Sequence, residues 1–374
     1  MSKKKIIVLG AGMVGKAIAI ELCNDYEVTC ADINQDALEN IAASNPVNIA
    51  VADLKVTAWL QKLIEPFDLV IGAVPGFMGF DVLKTVIESG KNVVDISFFN
   101  ADPFLLDDLA KKHNVTAVVD CGVAPGLSNI FLGHHHSRMQ VKKYECLVGG
   151  LPVKRIKPFE YKAPFSPIDV IEEYTRPARF IINNQLVIRE ALSDPELISF
   201  EQTGTLEAFN TDGLRTLIDT MKVPDMIERT LRYPGHIDLM RSLRETGFFS
   251  HDEITIGDKK VRPIDLTSTL LFRHWKLIEG EKEFTIMRVK ISGAKNESPS
   301  EITYTLYDKY DEKTKTSSMA RTTGYTCTAV ARLVIENQFR YDGICPPEYI
   351  GADEAAFRFI LNYLSSKNIS ITIE

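Results

Sequence analysis

The sequence has no apolar run near the roughly 18 residues that a membrane-spanning helix requires, so a membrane partner is not expected. Its six cysteines (Cys23, Cys30, Cys121, Cys146, Cys327, Cys345) form no C-x-x-C pair. That spacing excludes a cysteine-based zinc site and a small disulfide scaffold, and the thiols read as buried groups in a reducing cytoplasm. No basic tract occurs and the net charge is −7, so nucleic acid is not an expected partner. Internal repeats and low-complexity segments are absent as well. Met1-Ser2-Lys3-Lys4-Lys5 leads straight into an apolar strand, and the expectation is a cytoplasmic chain without a signal peptide. What remains is 374 residues, 45% hydrophobic and 25% charged, enough for two domains.

The first 32 residues carry the strongest signal. A β-branched strand runs into Gly10-Ala11-Gly12-Met13-Val14-Gly15, a helical pattern follows, and a second strand ends at Asp32, 22 residues after Gly10. This is a G-x-G-x-x-G fingerprint between strand and helix. Gly10 permits the tight turn, Gly12 lets backbone approach a pyrophosphate, and Gly15 lets the helix lie close to the strand. The amides that open the helix then face phosphate. A carboxylate at Asp32 accepts hydrogen bonds from a ribose 2′-hydroxyl and repels a 2′-phosphate, so NAD is favoured over NADP.

Strand and helix patterns then alternate: strands over 47–51, 68–73, 91–96 and 116–120, with helices over 57–64, 80–89 and 102–113. Such alternation predicts an α/β fold, a Rossmann-type doubly wound parallel sheet, whose ligands lie beyond the carboxyl ends of the strands. The cofactor-binding set read from those ends is Gly10, Gly12, Met13, Val14, Gly15, Asp32, Asp53, Leu54, Ala73, Val74, Pro75, Ile96, Ser97, Gly122 and Val123. From about Gly122 the pattern changes. Strand-like runs (144–148, 284–291, 301–307) mix with helical ones (211–220, 237–246, 267–275), which predicts an α+β domain with a hairpin around Ser298-Pro299. A helix over 353–364 and a strand over 369–373 close the chain.

Six segments, in order, carry a resemblance: Val94-Asp95-Ile96-Ser97, the run Asp120-Cys121-Gly122-Val123-Ala124-Pro125-Gly126-Leu127-Ser128-Asn129, Gly149-Gly150-Leu151-Pro152, and then residues 206–214, 230–236 and 319–325. Together they resemble the saccharopine dehydrogenase-like family, most nearly its lysine 6-dehydrogenase branch. The resemblance implies a Rossmann domain (1–122 and 330–374) interrupted by an α+β substrate and dimerisation domain (123–329). It implies that the final helix and strand return to the Rossmann part, and that the protein forms a homodimer. Saccharopine-forming members resemble one another in having Asp-Pro-Gly where this chain has Ala124-Pro125-Gly126, which favours the lysine 6-dehydrogenase reading. A saccharopine- or carboxy-polyamine-forming C–N reductase and a non-catalytic NAD-binding protein stand as alternatives.

Oxidative deamination of an ε-amine needs a proton acceptor, a dry path for hydride and an anchor for the α-carboxylate. For proton transfer the candidates are Asp95 and Asp120 at strand ends, Cys121 beside them, and His236, which the turn Tyr233-Pro234-Gly235 is expected to expose. Arg215 and Arg232 are the candidate carboxylate anchors, because a planar guanidinium engages both oxygens. Asn129 and Thr211 are candidate substrate hydrogen-bonders, alternatively a cap and a turn residue. Either Glu172 or its neighbour Glu173 can meet an amine, but adjacent helical residues do not share a face. His134, His135 and His136 project about 100° apart on a helix and do not converge on one ion, so no metal is expected.

Overall fold

The computed structural model describes residues 3–374, in two units. The first contains the residues up to Arg138 and Met319–Ile369. Its strands are short and apolar, and Ile6, Ile7, Val8, Leu9, Leu69, Val70 and Ile71 are fully buried, as a sheet covered on both faces demands. Seven parallel strands lie in the order Gly343–Cys345, Thr116–Val118, Val93–Asp95, Leu69–Gly72, Lys5–Leu9, Glu27–Asp32 and Val47–Val51. The chain reverses its winding direction at Lys5–Leu9, which is where a doubly wound sheet opens a ligand crevice. The strand Gly343–Cys345 has no counterpart in the sequence reading.

The chain re-enters this unit through the helix Ser318–Ile335. Gly324 faces Val14, Ala17 and Ile18 of the fingerprint helix Met13–Leu22, and a methyl there would lie 3.3 Å from Ile18. About two turns further on, Arg332 bonds Glu21 at 3.0 Å and Asp25 at 2.8 Å. The unit therefore takes in two stretches expected in the other domain: Leu127–His136, and the first half of this returning helix.

The second unit comprises Met139–Ser318 and the last five residues, Ser370–Glu374. Its mixed sheet runs Glu196–Phe200, Gly204–Asn210, Asp225–Arg232, Gln140–Pro152, Glu283–Lys295, Ser298–Lys309 and Ile371–Ile373, with a hairpin (Ala178–Ile182, Gln185–Arg189) joined to Asp225–Arg232. The expected hairpin is present, with Ile291 opposite Ile302. Two expectations fail. The final strand pairs with Ser298–Lys309, Tyr304 opposite Ile373, and so belongs to this sheet, not to the parallel one. The helix over 211–220 shrinks to Leu217–Thr220. Gly213 lies against the Glu228 side chain where any Cβ would stand, and Arg215 takes the left-handed backbone region (φ 52°), so the segment turns instead of coiling. Trp275, Tyr174, Phe209 and Leu231 form the centre of the core.

Candidate functional site

The carboxyl edge of the parallel sheet is shaped by glycine. Gly10 has φ 115°, and a Cβ on it would run into the Ala73 carbonyl; a Cβ on Gly15 would run into the Gly10 carbonyl. Both positions therefore need glycine for the protein's own packing. Gly12 differs: nothing of the protein lies within 4 Å of where its Cβ would be, and its φ of −66° suits any residue. The missing side chain there serves an approaching molecule, as a pyrophosphate cradle requires. Met13 and Val14 open the helix beside it.

Asp32 ends the second strand as expected. Its carboxylate accepts the Ala11 amide at 2.7 Å and the Asn34 amide at 2.8 Å, which fixes it at the crevice. Asp53 accepts the Lys55 amide at 3.0 Å and so organises the turn after the third strand, with Leu54 buried inside it. Ala73, Val74 and Pro75 lead from the fourth strand into the helix Gly76–Glu88. These residues fit a dinucleotide.

Asp95 is fully buried. It accepts the Ser97 amide at 2.7 Å and lies over Gly72, its register partner, where a Cβ would collide with the carboxylate. Ile96 connects the two through a bond from its amide to the Gly72 carbonyl. Asp120 is buried in left-handed backbone (φ 51°). Between them the Cys121 amide bonds the Asp95 carbonyl at 2.9 Å. Burial, with help from Asp95 and Asp120, pushes the Cys121 thiol well above its ordinary range, so it remains a neutral thiol and not a proton carrier. The following loop folds tightly: the Gly122 and Val123 carbonyls accept the Leu127 and Ser128 amides. Asn129 accepts the Gly126 amide at 3.2 Å and donates to Glu348 at 3.1 Å, which is the capping role. The structure thus brings Asp95, Ser97, Asp120, Cys121 and Gly122 together at one sheet end.

In the second unit the expected residues fall into separate groups. Thr211 and Thr230 share a hydroxyl–hydroxyl bond of 3.0 Å, and Glu172 bonds Arg176 at 3.3 Å. Arg215 is buried. Arg232 is neither at the surface nor alone. Its side chain is 2% exposed, its Nη2 bonds the Glu173 carboxylate at 2.5 Å, its Nε donates to the Tyr174 hydroxyl at 3.2 Å, and its guanidinium covers the Tyr161 ring at 4.5 Å. Of the adjacent pair Glu172 and Glu173, the one that reaches Arg232 is Glu173. Desolvation raises the Glu173 carboxyl, and the guanidinium beside it draws it back.

His236 overturns its expectation as well. It is 3% exposed, not in an open turn. Its Nδ1 lies 2.9 Å from the Phe159 carbonyl and must donate, so Nε2 accepts from the Tyr174 hydroxyl at 3.0 Å. Burial and the nearby Arg232 charge push its pKa down to about 3. A directed chain results, from Arg232 through Tyr174 and His236 to Phe159. Tyr161 and Tyr174 carried no sequence signal beyond ordinary helix and core patterning.

Among the described residues no group of histidine, cysteine or acid side chains is arranged to hold a metal ion. His134 stacks on Phe357 at 3.7 Å. No helix among them is long and apolar enough to cross a membrane.

Comparison with known proteins agrees with this geometry. Residues 6–118 match the saccharopine dehydrogenase NADP binding domain, and residues 122–369 match the saccharopine dehydrogenase C-terminal domain. The chain belongs to the saccharopine dehydrogenase family. A mouse family member, mitochondrial alpha-aminoadipic semialdehyde synthase, is 25% identical over 270 residues, 67% of this chain and 29% of that protein. The Saccharomyces cerevisiae saccharopine dehydrogenase [NADP(+), L-glutamate-forming] is 24% identical over 279 residues, 69% of this chain and 61% of its own length. The chain therefore spans less than two thirds of either relative. In fold it is similar to the apo saccharopine dehydrogenase structure from S. cerevisiae (TM-score 0.79, 18% identity, 99% of both chains). It is also similar to the homospermidine synthase of Legionella pneumophila in complex with NAD (TM-score 0.72, 12% identity, 100% of this chain and 91% of that one).

Proposed function

We propose that the protein is an NAD-dependent dehydrogenase that acts on the CH–NH2 group of L-lysine or a close diamino acid, releasing a semialdehyde and ammonia. The observation that carries the cofactor half is the pair Gly12 and Asp32: an uncrowded backbone approach beside a carboxylate pinned by two amides. An anion fixed at that point disfavours a 2′-phosphate. Ala124 in the loop after Asp120 supports the substrate half, because it leaves out the acid that saccharopine-forming members carry there.

When bound, the nicotinamide supplies a two-electron acceptor for hydride from the ε-carbon. The chain's own contribution is proton handling. The substrate ammonium must lose a proton before hydride can leave, and Asp120, with Asp95 behind it, is the acceptor we assign. Cys121 keeps the neighbourhood dry. Water then adds to the imine carbon, ammonia departs, and the aldehyde remains. Thr211, Arg215 and Glu172 stay assigned to the substrate's polar ends, and His236 to holding Tyr174 and Arg232 in place, while Asn129 is left to its cap. The six cysteines are free and buried, which suits a reducing cytoplasm, and a homodimer is the assembly we expect.

A second reading, a C–N forming reductase, is supported by the fungal relative's name. One set of assays separates them. Purified protein with NAD and L-lysine is expected to yield NADH and ammonia together, and NADP to serve poorly. Consumption of NADH or NADPH with L-glutamate plus the semialdehyde, or with lysine plus 2-oxoglutarate, and none of the first signal, replaces the proposal with the second reading. Binding of NADH with turnover in neither direction leaves a nucleotide-binding protein. Asp32→Ala is expected to lower NAD affinity about tenfold, in line with the loss of charge-assisted bonds; unchanged binding by titration defeats the NAD assignment.

A further inference from the structure

One face of the second unit's sheet changes character along its strands. On Glu283–Lys295, Phe284 and Ile286 enter the core, while Arg288 and Lys290, next on the same side, lie beyond it. On one neighbouring strand Leu147 stands opposite Arg288, and Glu145 opposite Lys290. On the other, Thr305 and Thr303 take the same two positions. The turn that follows Glu196–Phe200 forms a wall beside this end of the face, and a cleft of about 420 Å³ lies between wall and sheet. That is room for a small molecule. Glu374, its backbone paired with that of Thr303, stands at the rim.

The charges in this cleft do not neutralise one another. Glu145 and Lys290 are register partners, with Cβ atoms about 5 Å apart in such a pair, and so are placed to bond. Lys290 instead bonds Glu301 at 2.8 Å. Among the described residues the Glu145 carboxylate has no ion-pair or hydrogen-bond partner. The Arg288 guanidinium lies over the Phe200 ring, 4.8 Å from its centroid, and no carboxylate of the described residues meets it. Stacking holds the guanidinium plane and leaves its N–H fork open. Glu145 and Arg288 are diagonal neighbours on the ladder, roughly 7–8 Å apart. A held fork and an unspent carboxylate at that spacing complement a carboxylate that carries an ammonium beside it. Glu201 and Glu374, both exposed, add negative charge at the mouth.

We infer that this cleft binds a free basic amino acid, an α-amino acid whose side chain ends in a second cation. The α-carboxylate takes the Arg288 fork, the α-ammonium bonds Glu145, and the side-chain cation reaches towards Glu201 and Glu374 at the mouth. All four residues belong to the second unit, and none is assigned to the reaction proposed above. The site therefore stands apart from the dehydrogenase reading.

The test uses the full chain without nucleotide and calorimetric titration with L-lysine, L-ornithine and L-arginine. At least one is expected to bind, and Arg288→Met and Glu145→Gln are each expected to weaken it about tenfold, the scale of one charge-assisted hydrogen bond. Cadaverine, which lacks the carboxylate, is expected to be indifferent to Arg288→Met. For 6-aminohexanoate, which lacks the α-ammonium, Glu145→Gln is expected to change nothing. L-Norleucine, without the second cation, should bind the parent more weakly than L-lysine and still respond to both variants. Both variants are expected to keep the parent's circular dichroism and Tm. Where the reaction site also takes the amino acid, the isotherm has two events and the variants remove one. Equal binding by the parent and both variants overturns the inference, as does a parent that binds none of the three. A variant that turns from dimer to monomer in sedimentation, with amino-acid binding unchanged, makes the cleft an interface between copies instead. NADH formation is not read in these titrations, so failure of the dehydrogenase reading leaves their result intact.

Discussion

In the first unit the polar groups gather at the ends of parallel strands, held by backbone amides and set beside glycines. In the second, the corresponding charge is sealed in the core: Arg232, Glu173, Tyr174 and His236 satisfy one another around an aromatic wall. The first arrangement leaves Asp32 partly exposed and Gly12 uncrowded, so its polarity is available to a visitor. The second spends its polarity on itself. Burial alone therefore does not mark a reactive group. Arg232 is among the largest fully buried side chains, and its partners already occupy it.

The contrast predicts a graded series of effects. Arg232→Met strands the Glu173 carboxylate in a low-dielectric core and is expected to cost about 3–5 kcal/mol. Urea unfolding followed by Trp275 fluorescence, in a Trp59→Phe background, reads it directly. Adding Glu173→Leu to Arg232→Met should recover much of the loss, and a cost below about 1 kcal/mol for the single change means the pair does not hold the core.

Next come two identical substitutions three residues apart. Gly15→Ala forces a methyl onto the Gly10 carbonyl and is expected to cost about 1–3 kcal/mol, with a drop of several degrees in Tm. Gly12→Ala meets nothing of the protein, so Tm should hold while NADH affinity falls about tenfold or more. Equal losses of Tm in both variants erase the distinction between packing glycine and ligand glycine.

A pH slope completes the series. The folded His236 pKa, about 3, lies below the 6.5 of the free side chain. Below pH 6.5 the unfolded chain takes up a proton that the folded one refuses, so stability is full above 6.5 and drains away towards pH 3. The slope is at most about 1.4 kcal/mol per pH unit. His236→Gln is expected to flatten that component of the acid limb in urea melts between pH 4 and 7.

Much of the first unit was legible because its signals are local. A strand, three glycines, a helix and an acid in register need no information from elsewhere in the chain. The strand Gly343–Cys345 was missed because three residues carry no periodicity and Pro346 follows at once. The destination of Ile371–Ile373 was misread because an alternating strand records which face is apolar, not which sheet receives it. His236 looked exposed beside a Pro-Gly turn, and its burial depends on Phe159 and Tyr174, supplied from far earlier in the chain. Which of two adjacent glutamates reaches Arg232 depends on how the helix Pro167–Thr175 is rotated, and only packing fixes that.

The returning helix Ser318–Ile335 has a consequence for biosynthesis. Its Gly324 and Arg332 complete the surface against which the fingerprint helix lies, so the nucleotide-binding half is not a contiguous piece of message. On the ribosome its opening segment must wait while Met139–Ser318 is translated, on the order of ten seconds or more. Until then Glu21 has no Arg332, and apolar surface on the fingerprint helix lies bare. The nascent chain is at its stickiest in that interval, and a fragment ending at Arg138 should inherit the same exposure permanently.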